Sequence, residues 1–338
     1  MRVLLLFLLL ALYANCGHFN NFGQKIKDAL SRIKMGLNTT ALYKIHKIFK
    51  NLEEKLMPKL VLSPKRKARL QSLLKKMVHI KKDHVQIGGD SIMEVNAKTP
   101  VEGLLFQGDI VPTLRQAKEI MEDIDGSNRT KRQAFRDHRY PHTIWSTGVN
   151  YHFHSSADYR IQRIFEKATK LWEKDTCIDF RWNSRAPNRI HLLRADGCWS
   201  YVGKLNIVQP LSLGYGCDTV AIAAHEIGHA LGLWHTQSRH DRDKFITFNA
   251  HNVKRSWLDQ FVKESTETNK NYGITYDYGS IMHYGTTSAS ANGDPTMVPN
   301  DPKYAETLGS PFISFYELLM LNTHYDCLGM IISITPRI

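Results

Sequence analysis

Three histidines and a glutamate lie within eleven residues of one another, in His225-Glu226-Ile227-Gly228-His229 and Ala230-Leu231-Gly232-Leu233-Trp234-His235. On a helix, positions i and i+4 share a face, so the imidazoles of His225 and His229 can grip one ion. Gly232 can take a left-handed conformation and turn the chain sharply, which brings His235 back as a third ligand. Three neutral nitrogens leave the fourth position of a single zinc ion to water, the arrangement of a catalytic site. Glu226, beside the first ligand, would point near the ion without binding it. Its carboxylate can take a proton from a metal-activated water and pass it to a leaving amine. The bland alternative is a set of surface histidines on a helix with a C-cap glycine. The fixed spacing of Gly232 and His235, and a methionine turn candidate downstream, argue against it.

The elements that must position these residues are partly readable. Thr219 to Leu231 is expected to be a helix stopped by Gly232. Asp158 to Lys174 reads as an amphipathic helix, with Ile161, Ile164, Phe165, Ala168, Leu171 and Trp172 on one face. Cys177 to Trp182 alternates like a strand, Arg189 to Leu193 is a second strand candidate, and Ser200 to Val208 reads as another, broken at Gly203. Beyond the second helix the chain is rich in Asn, Gly, Tyr and Pro, so an irregular stretch with one late helix near Ser314 to Leu321 is expected. Within it, Ser280-Ile281-Met282-His283-Tyr284 fits a methionine turn whose Met282 forms an apolar floor under the metal.

The first part of the chain has a different character. Met1-Arg2, the apolar run Val3 to Tyr13 and Ala14-Asn15-Cys16 read as a secretory signal over residues 1–16, too short to span a bilayer. Residues 17–132 carry helical periodicity at Ile26, Leu30, Ile33 and Leu37, and again at Leu70, Leu73, Leu74 and Met77. From His18 to Arg132 there are 23 Lys+Arg against 12 Asp+Glu; from Gln133 onward the counts are 21 and 20. The net charge of +13 therefore lies almost wholly in the first part, which argues against a nucleic-acid partner for the second. Turn residues Asp125 to Asn128 precede Arg129-Thr130-Lys131-Arg132, a dibasic site suited to a processing protease that cuts between Arg132 and Gln133. The sequons at Asn38 and Asn128 would carry glycans if used. With Cys16 beside the signal cut, Cys177, Cys198, Cys217 and Cys327 suit two disulfides in an oxidising compartment, and spacing leaves all three connectivities open.

Over residues 133–327 the chain resembles the astacin family of zinc metalloendopeptidases, within the metzincin clan. The likeness rests on the zinc motif, on Arg239-His240-Asp241-Arg242-Asp243, on Ser280 to Gly285 and on Gly197-Cys198-Trp199-Ser200-Tyr201-Val202-Gly203. Phe106-Gln107-Gly108-Asp109 matches the family's pro-segment motif. The resemblance implies an α+β catalytic domain of two subdomains, with a twisted mixed sheet and helices above a cleft and an irregular region below. It implies that Tyr284 is a switchable metal ligand able to stabilise an oxyanion. Cys198, Trp199 and Ser200 would form an edge strand on which an extended polypeptide substrate lies. Disulfides Cys177–Cys327 and Cys198–Cys217 are implied, as is Asp109 taking the water's place on zinc, so that the chain's own pro-peptide inhibits it. One position departs from the pattern: Thr236 stands where the family usually has a glutamate that meets the new N-terminal amine. Activation is therefore expected to depend on removing Asp109 more than on a buried terminal ion pair.

Together these readings describe a secreted zymogen of a zinc endopeptidase acting on extracellular proteins, with a short tail over 328–338 and no membrane span. The rivals are a catalytically silent matrix-binding or decoy protein of the same fold, and a zinc hydrolase of non-peptide esters or amides. Intact ligands, an intact base and the edge-strand segment weigh against both.

Overall fold

The computed structural model describes residues 41, 44, 45, 47, 48, 60–77, 91–124, 134, 139–264 and 270–328, the side chains of 122–124 excepted. The signal segment, Asn38, Asn128, Arg132, Gln133, the periodic stretch Ile26 to Leu37 and the tail beyond Leu328 lie outside the described residues. The chain runs α1 (Pro64–Leu74), α2 (Ile92–Asn96), α3 (Leu114–Ile124), β1 (Val149–Phe153), α4 (Tyr159–Asp175), β2 (Phe180–Trp182), β3 (Arg189–Leu193), β4 (Cys198–Trp199), β5 (Val208–Leu213), α5 (Val220–Ala230), β6 (Ile246–Phe248), β7 (Met297–Pro299) and α6 (Phe315–His324), with short 3-10 turns between them.

Helix α4 starts at Asp158, whose side chain accepts from the Ile161 amide at 3.0 Å. Ile161, Phe165, Ala168 and Trp172 bury one face, each large side chain contributing roughly 1.5–3 kcal/mol relative to exposure. Helix α5 is capped by Thr219 and buried on all sides from Ile222 to Ala230, because it lies between the sheet above and the irregular region below. The sheet has the order β2-β1-β3-β5-β4; the first four strands are parallel and β4 pairs antiparallel with β5 at the edge. Below the cleft lie the β6–β7 pair, the 3-10 turns, the methionine turn and α6. Cys177–Cys327 joins the end of α4 to the end of α6, and Cys198–Cys217 ties the edge strand to the turn before α5.

Two strand expectations need correction. Residues 200–207 form no strand. Gly203 and Asn206 adopt positive φ, and the Gln209 side chain satisfies the Gly203 carbonyl and the Leu205 amide, each at 3.0 Å, so the loop has no need of a ladder. Of Cys177 to Trp182 only Phe180–Trp182 pairs, since the disulfide holds Cys177 at the helix end. Strand β1, with Val149 and Tyr151 facing the core, was legible in its alternation but was not read from the sequence.

Among the described residues before Arg132, α1, α2 and α3 are the named α-helices. This part of the chain has no core of its own among the described residues. Ile92 and Val95 join the main cluster around α4 and α5, and Leu105, Val111 and Ala117 pack with Leu193 and Trp199. Met93 packs among Trp257 and Tyr284, Phe106 and Ile110 with Val202 and Trp234, and Leu70 and Leu73 with Val298.

A candidate metal centre at the floor of the cleft

Helix α5 presents His225 and His229 on one face, and Gly232, at φ +110, turns the chain so that His235 returns beside them. The Nε2 atoms of His229 and His235 each lie 3.1 Å from that of His225. A tetrahedral centre with metal–nitrogen distances of 2.0–2.1 Å has nitrogen–nitrogen separations of roughly 3.3–3.4 Å. The fourth vertex is Asp109, with Oδ2 at 3.1 Å from His225 and 3.2 Å from His235, and Oδ1 at 3.3 Å from His229.

The other ring nitrogens fix the tautomers. His225 Nδ1 donates to the Ile281 carbonyl and His229 Nδ1 to the Leu233 carbonyl, both at 2.7 Å. His235 Nδ1 donates to Gln107 Oε1 at 3.1 Å, and Gln107 Nε2 in turn donates to Glu264 Oε1 at 2.9 Å. Burial holds His229 below its usual range and pushes His235 down to about 3, so both rings are neutral. With each Nδ1 engaged by a carbonyl oxygen, the three Nε2 atoms converge on one point. Asp109 Oδ1 and both carboxylate oxygens of Glu226 are buried without a hydrogen-bond donor. Converging lone pairs and an undonated carboxylate require a cation between them, and the donor set of three imidazoles and one carboxylate oxygen fits zinc.

Glu226 is fully buried, and burial, then the charge of Asp109, push its carboxyl well above the usual range. Tyr284 donates its hydroxyl to the Gln107 carbonyl, and its ring lies 4.5 Å from that of His235. Met282 lies beneath α5, and the reason for Gly228 is local: a Cβ there would stand 2.8 Å from the methionine sulfur. The edge strand is already engaged. The Asn96 amide accepts from Cys198 N at 2.8 Å and donates to Cys198 O at 2.7 Å, in the manner of a strand residue. Beyond it, Ser200 N donates to Asp109 O at 3.1 Å, and Val111 N donates to Ser200 O at 2.8 Å. That bridge runs parallel.

Several supporting residues escaped sequence reading. Gln107 orients His235, Gln237 accepts from the Tyr284 amide at 3.0 Å, and Asn96 covers the edge strand. Glu317 anchors the methionine turn. Its carboxylate accepts from Ser280 Oγ (2.6 Å), Ile281 N (3.2 Å), Met282 N (3.1 Å) and Ser314 N (2.8 Å), while burial pushes it up to about 7. Its signal was the Ser314-x-x-Glu317 capping box. Thr236 joins this network, with its hydroxyl 2.8 Å from Ser280 Oγ. Glu317→Gln replaces an accepting oxygen by a donor that faces backbone N–H groups, at a cost of about 3 kcal/mol. Thermal unfolding is then expected to fall by roughly 6–12 °C, and a change under about 2 °C would remove Glu317 from this role.

A helix-borne pair of histidines, a third after a glycine turn and an unligated glutamate beside them define a mononuclear zinc centre of the metzincin type. The model of the Astacin peptidase family matches residues 137–326. Zinc metalloproteinase nas-31 of Caenorhabditis elegans is 45% identical over 251 residues, 73% of this chain and 41% of that relative. Zinc metalloproteinase nas-32 of the same nematode is 38% identical over 239 residues, 70% and 36% of the two chains. Among solved structures, the hatching enzyme zinc-protease High choriolytic enzyme 1 of Oryzias latipes (medaka) is 28% identical with a TM-score of 0.50, covering 59% of this chain and 94% of its own. The chain belongs to the astacin family. It spans about two fifths of the length of the nematode relatives it matches.

Proposed function

We propose that the protein is the secreted zymogen of a zinc endopeptidase, latent until the segment before Gln133 is cut away. The observation that carries this reading is the convergence of three imidazoles and Asp109 on one point beside the undonated carboxylate of Glu226. Zinc bound there polarises a water and the scissile carbonyl. His225, His229 and His235 hold it in an orientation set by their backbone and Gln107 acceptors. Asp109 fills the position that water needs. Once Asp109 has left, Glu226 takes the proton of the attacking water and delivers it to the leaving amine. Tyr284, freed from the Gln107 carbonyl, supplies a phenolic donor for the developing oxyanion. An extended polypeptide adds to the edge at Cys198, Trp199 and Ser200 in place of residues 109–111.

The dibasic site at Arg132, the two disulfides and the apolar start of the chain support export through an oxidising compartment. No helix among the described residues is long and apolar enough to cross a membrane. Thr236 is fully engaged with Ser280, which supports activation through loss of Asp109. Shifting the new N-terminus by one or two residues should leave kcat/KM nearly unchanged.

The test is direct. The intact chain is expected to carry one zinc per molecule and cleave no quenched peptide, and cutting after Arg132 to start turnover that a chelator abolishes and zinc restores. Stoichiometric metal with no turnover of any peptide after cutting would leave the silent-protein reading in its place.

A further inference from the structure

Just after the third histidine, Arg239 pairs with Asp241 at 2.9 and 3.0 Å and donates to the carbonyls of Ile274 and Thr275 at 3.1 and 2.9 Å. Those bonds tie down the chain leading into Tyr276, which is buried. The Tyr276 ring stacks on Phe245 at 4.9 Å, and the Arg239 guanidinium lies 5.3 Å from its centre. The Tyr276 hydroxyl is 2.7 Å from His283 Nε2, and His283 Nδ1 is 2.7 Å from the Tyr284 carbonyl. A carbonyl only accepts, so Nδ1 carries the proton. In the neutral ring Nε2 then accepts from the Tyr276 hydroxyl. On the other side of the same residue, the Tyr284 amide donates to Gln237 Oε1 at 3.0 Å. Both backbone groups of Tyr284 are therefore held by buried side chains of the catalytic domain. Its side chain is held by the leader: the hydroxyl donates to the Gln107 carbonyl, and Met93 packs in the same apolar cluster.

We propose that Tyr276 and His283 are positioning residues for Tyr284: they anchor its backbone, so that departure of the leader frees the phenol to swing while its Cα stays in place. This rests on the endopeptidase reading above, in which Tyr284 supplies a donor to the oxyanion. The Gln107 and Met93 contacts are made by the side chain and go with the leader. The Gln237 and His283 bonds are made by the backbone and stay. A donor to a developing oxyanion works within about 2.7–3.1 Å of it, and a misplacement of about 1 Å costs up to about a hundredfold in rate. A phenol at the end of a side chain meets that tolerance when the backbone beneath it is fixed. The His283 ring is turned towards the Tyr284 carbonyl by the bond at its other nitrogen, as an outer partner orients a ligand histidine. Removing the Tyr276 hydroxyl leaves that buried nitrogen without a donor, and the ring loosens its hold on the carbonyl.

The full chain, cut after Arg132 and freed of its leader, is compared as the parent, Tyr276→Phe, Tyr284→Phe and the double variant, with zinc measured on each sample. Tyr276→Phe keeps the stacked ring. It should keep one zinc and the KM of the parent, while kcat falls on the order of tenfold. In the Tyr284→Phe background the same substitution should change kcat by less than about twofold, because no phenol is left to position. Loss of zinc, or an equal loss of kcat in both backgrounds, marks a structural role and overturns the proposal, as does a kcat of Tyr276→Phe within about twofold of the parent. If Tyr284→Phe is as active as the parent, Tyr284 supplies no donor, and the proposal falls while the endopeptidase reading stands. If the cut parent cleaves no peptide, that reading fails, and hydrogen exchange of the Tyr284 amide in the intact chain decides the anchor. Tyr276→Phe should speed that exchange on the order of tenfold, and an unchanged rate overturns the anchor.

Discussion

Glu226→Ala, once cut after Arg132, will keep one zinc per chain and lose peptide turnover by about 10⁴-fold, the upper range for removing a positioned general base and acid. The geometry separates the two properties. The ligating histidines are other residues, and in the intact chain each owes its orientation to an acceptor other than Glu226: the Ile281 and Leu233 carbonyls and the Gln107 amide. Glu226 itself touches no donor, so its truncation breaks no hydrogen bond of the folded protein. The alanine variant should also unfold no earlier than the parent, because an undonated buried carboxyl is replaced by a methyl. Metal analysis, thermal unfolding and turnover of a quenched peptide on one sample decide the matter. Turnover within about tenfold of the parent would take Glu226 out of the proton transfer.

Asp109→Ala should make the uncut chain active. Latency is an equilibrium between a covered and an uncovered cleft, and the carboxylate's interaction with the metal centre favours the covered state. Losing one partner of a buried charged interaction costs about 3–5 kcal/mol, which corresponds to roughly 10²–10⁴ in that equilibrium. While the uncovered state remains a minority, activity of the uncut chain rises by the same factor. The rise stops short of the processed enzyme's rate, because Asn96 still grips Cys198, and Val111 still pairs with Ser200. Cutting the variant after Arg132 should therefore increase turnover further. An uncut Asp109→Ala chain as silent as the parent, with zinc present, would assign latency to coverage of the edge strand alone.

What could be read beforehand follows the distance over which each contact is made. The histidine triad was legible because its spacing is a property of one helix and one glycine turn. Helix α4 was legible because its face repeats within seventeen residues. Asp109 lies 116 residues from His225, so no local pattern connects them, and only the likeness to a family suggested the link. Gln107, Asn96 and Glu317 act through single side-chain hydrogen bonds to distant backbone or ring atoms. Such bonds leave no periodicity behind, although the Ser314-x-x-Glu317 box fixed at least where that carboxylate would begin a helix. The loop at 200–207 misled because its apolar residues mimic a strand, while the deciding group is the amide of Gln209, a residue beyond the run. Likewise the helical periodicity at Leu70, Leu73 and Leu74 falls on α1, but it could not reveal that Leu70 and Leu73 pack against Val298, more than 200 residues on.

That shared packing has a mechanical consequence. The leader contributes side chains to the cluster above the cleft and to the clusters below it, so it rivets the two jaws to each other at several places at once. On the proposed activation, severing one peptide bond and letting the leader go would withdraw all the rivets together. The freed domain would then keep its covalent strap from α4 to α6 through Cys177–Cys327, and the two jaws would be tied by that strap without the leader's apolar contacts.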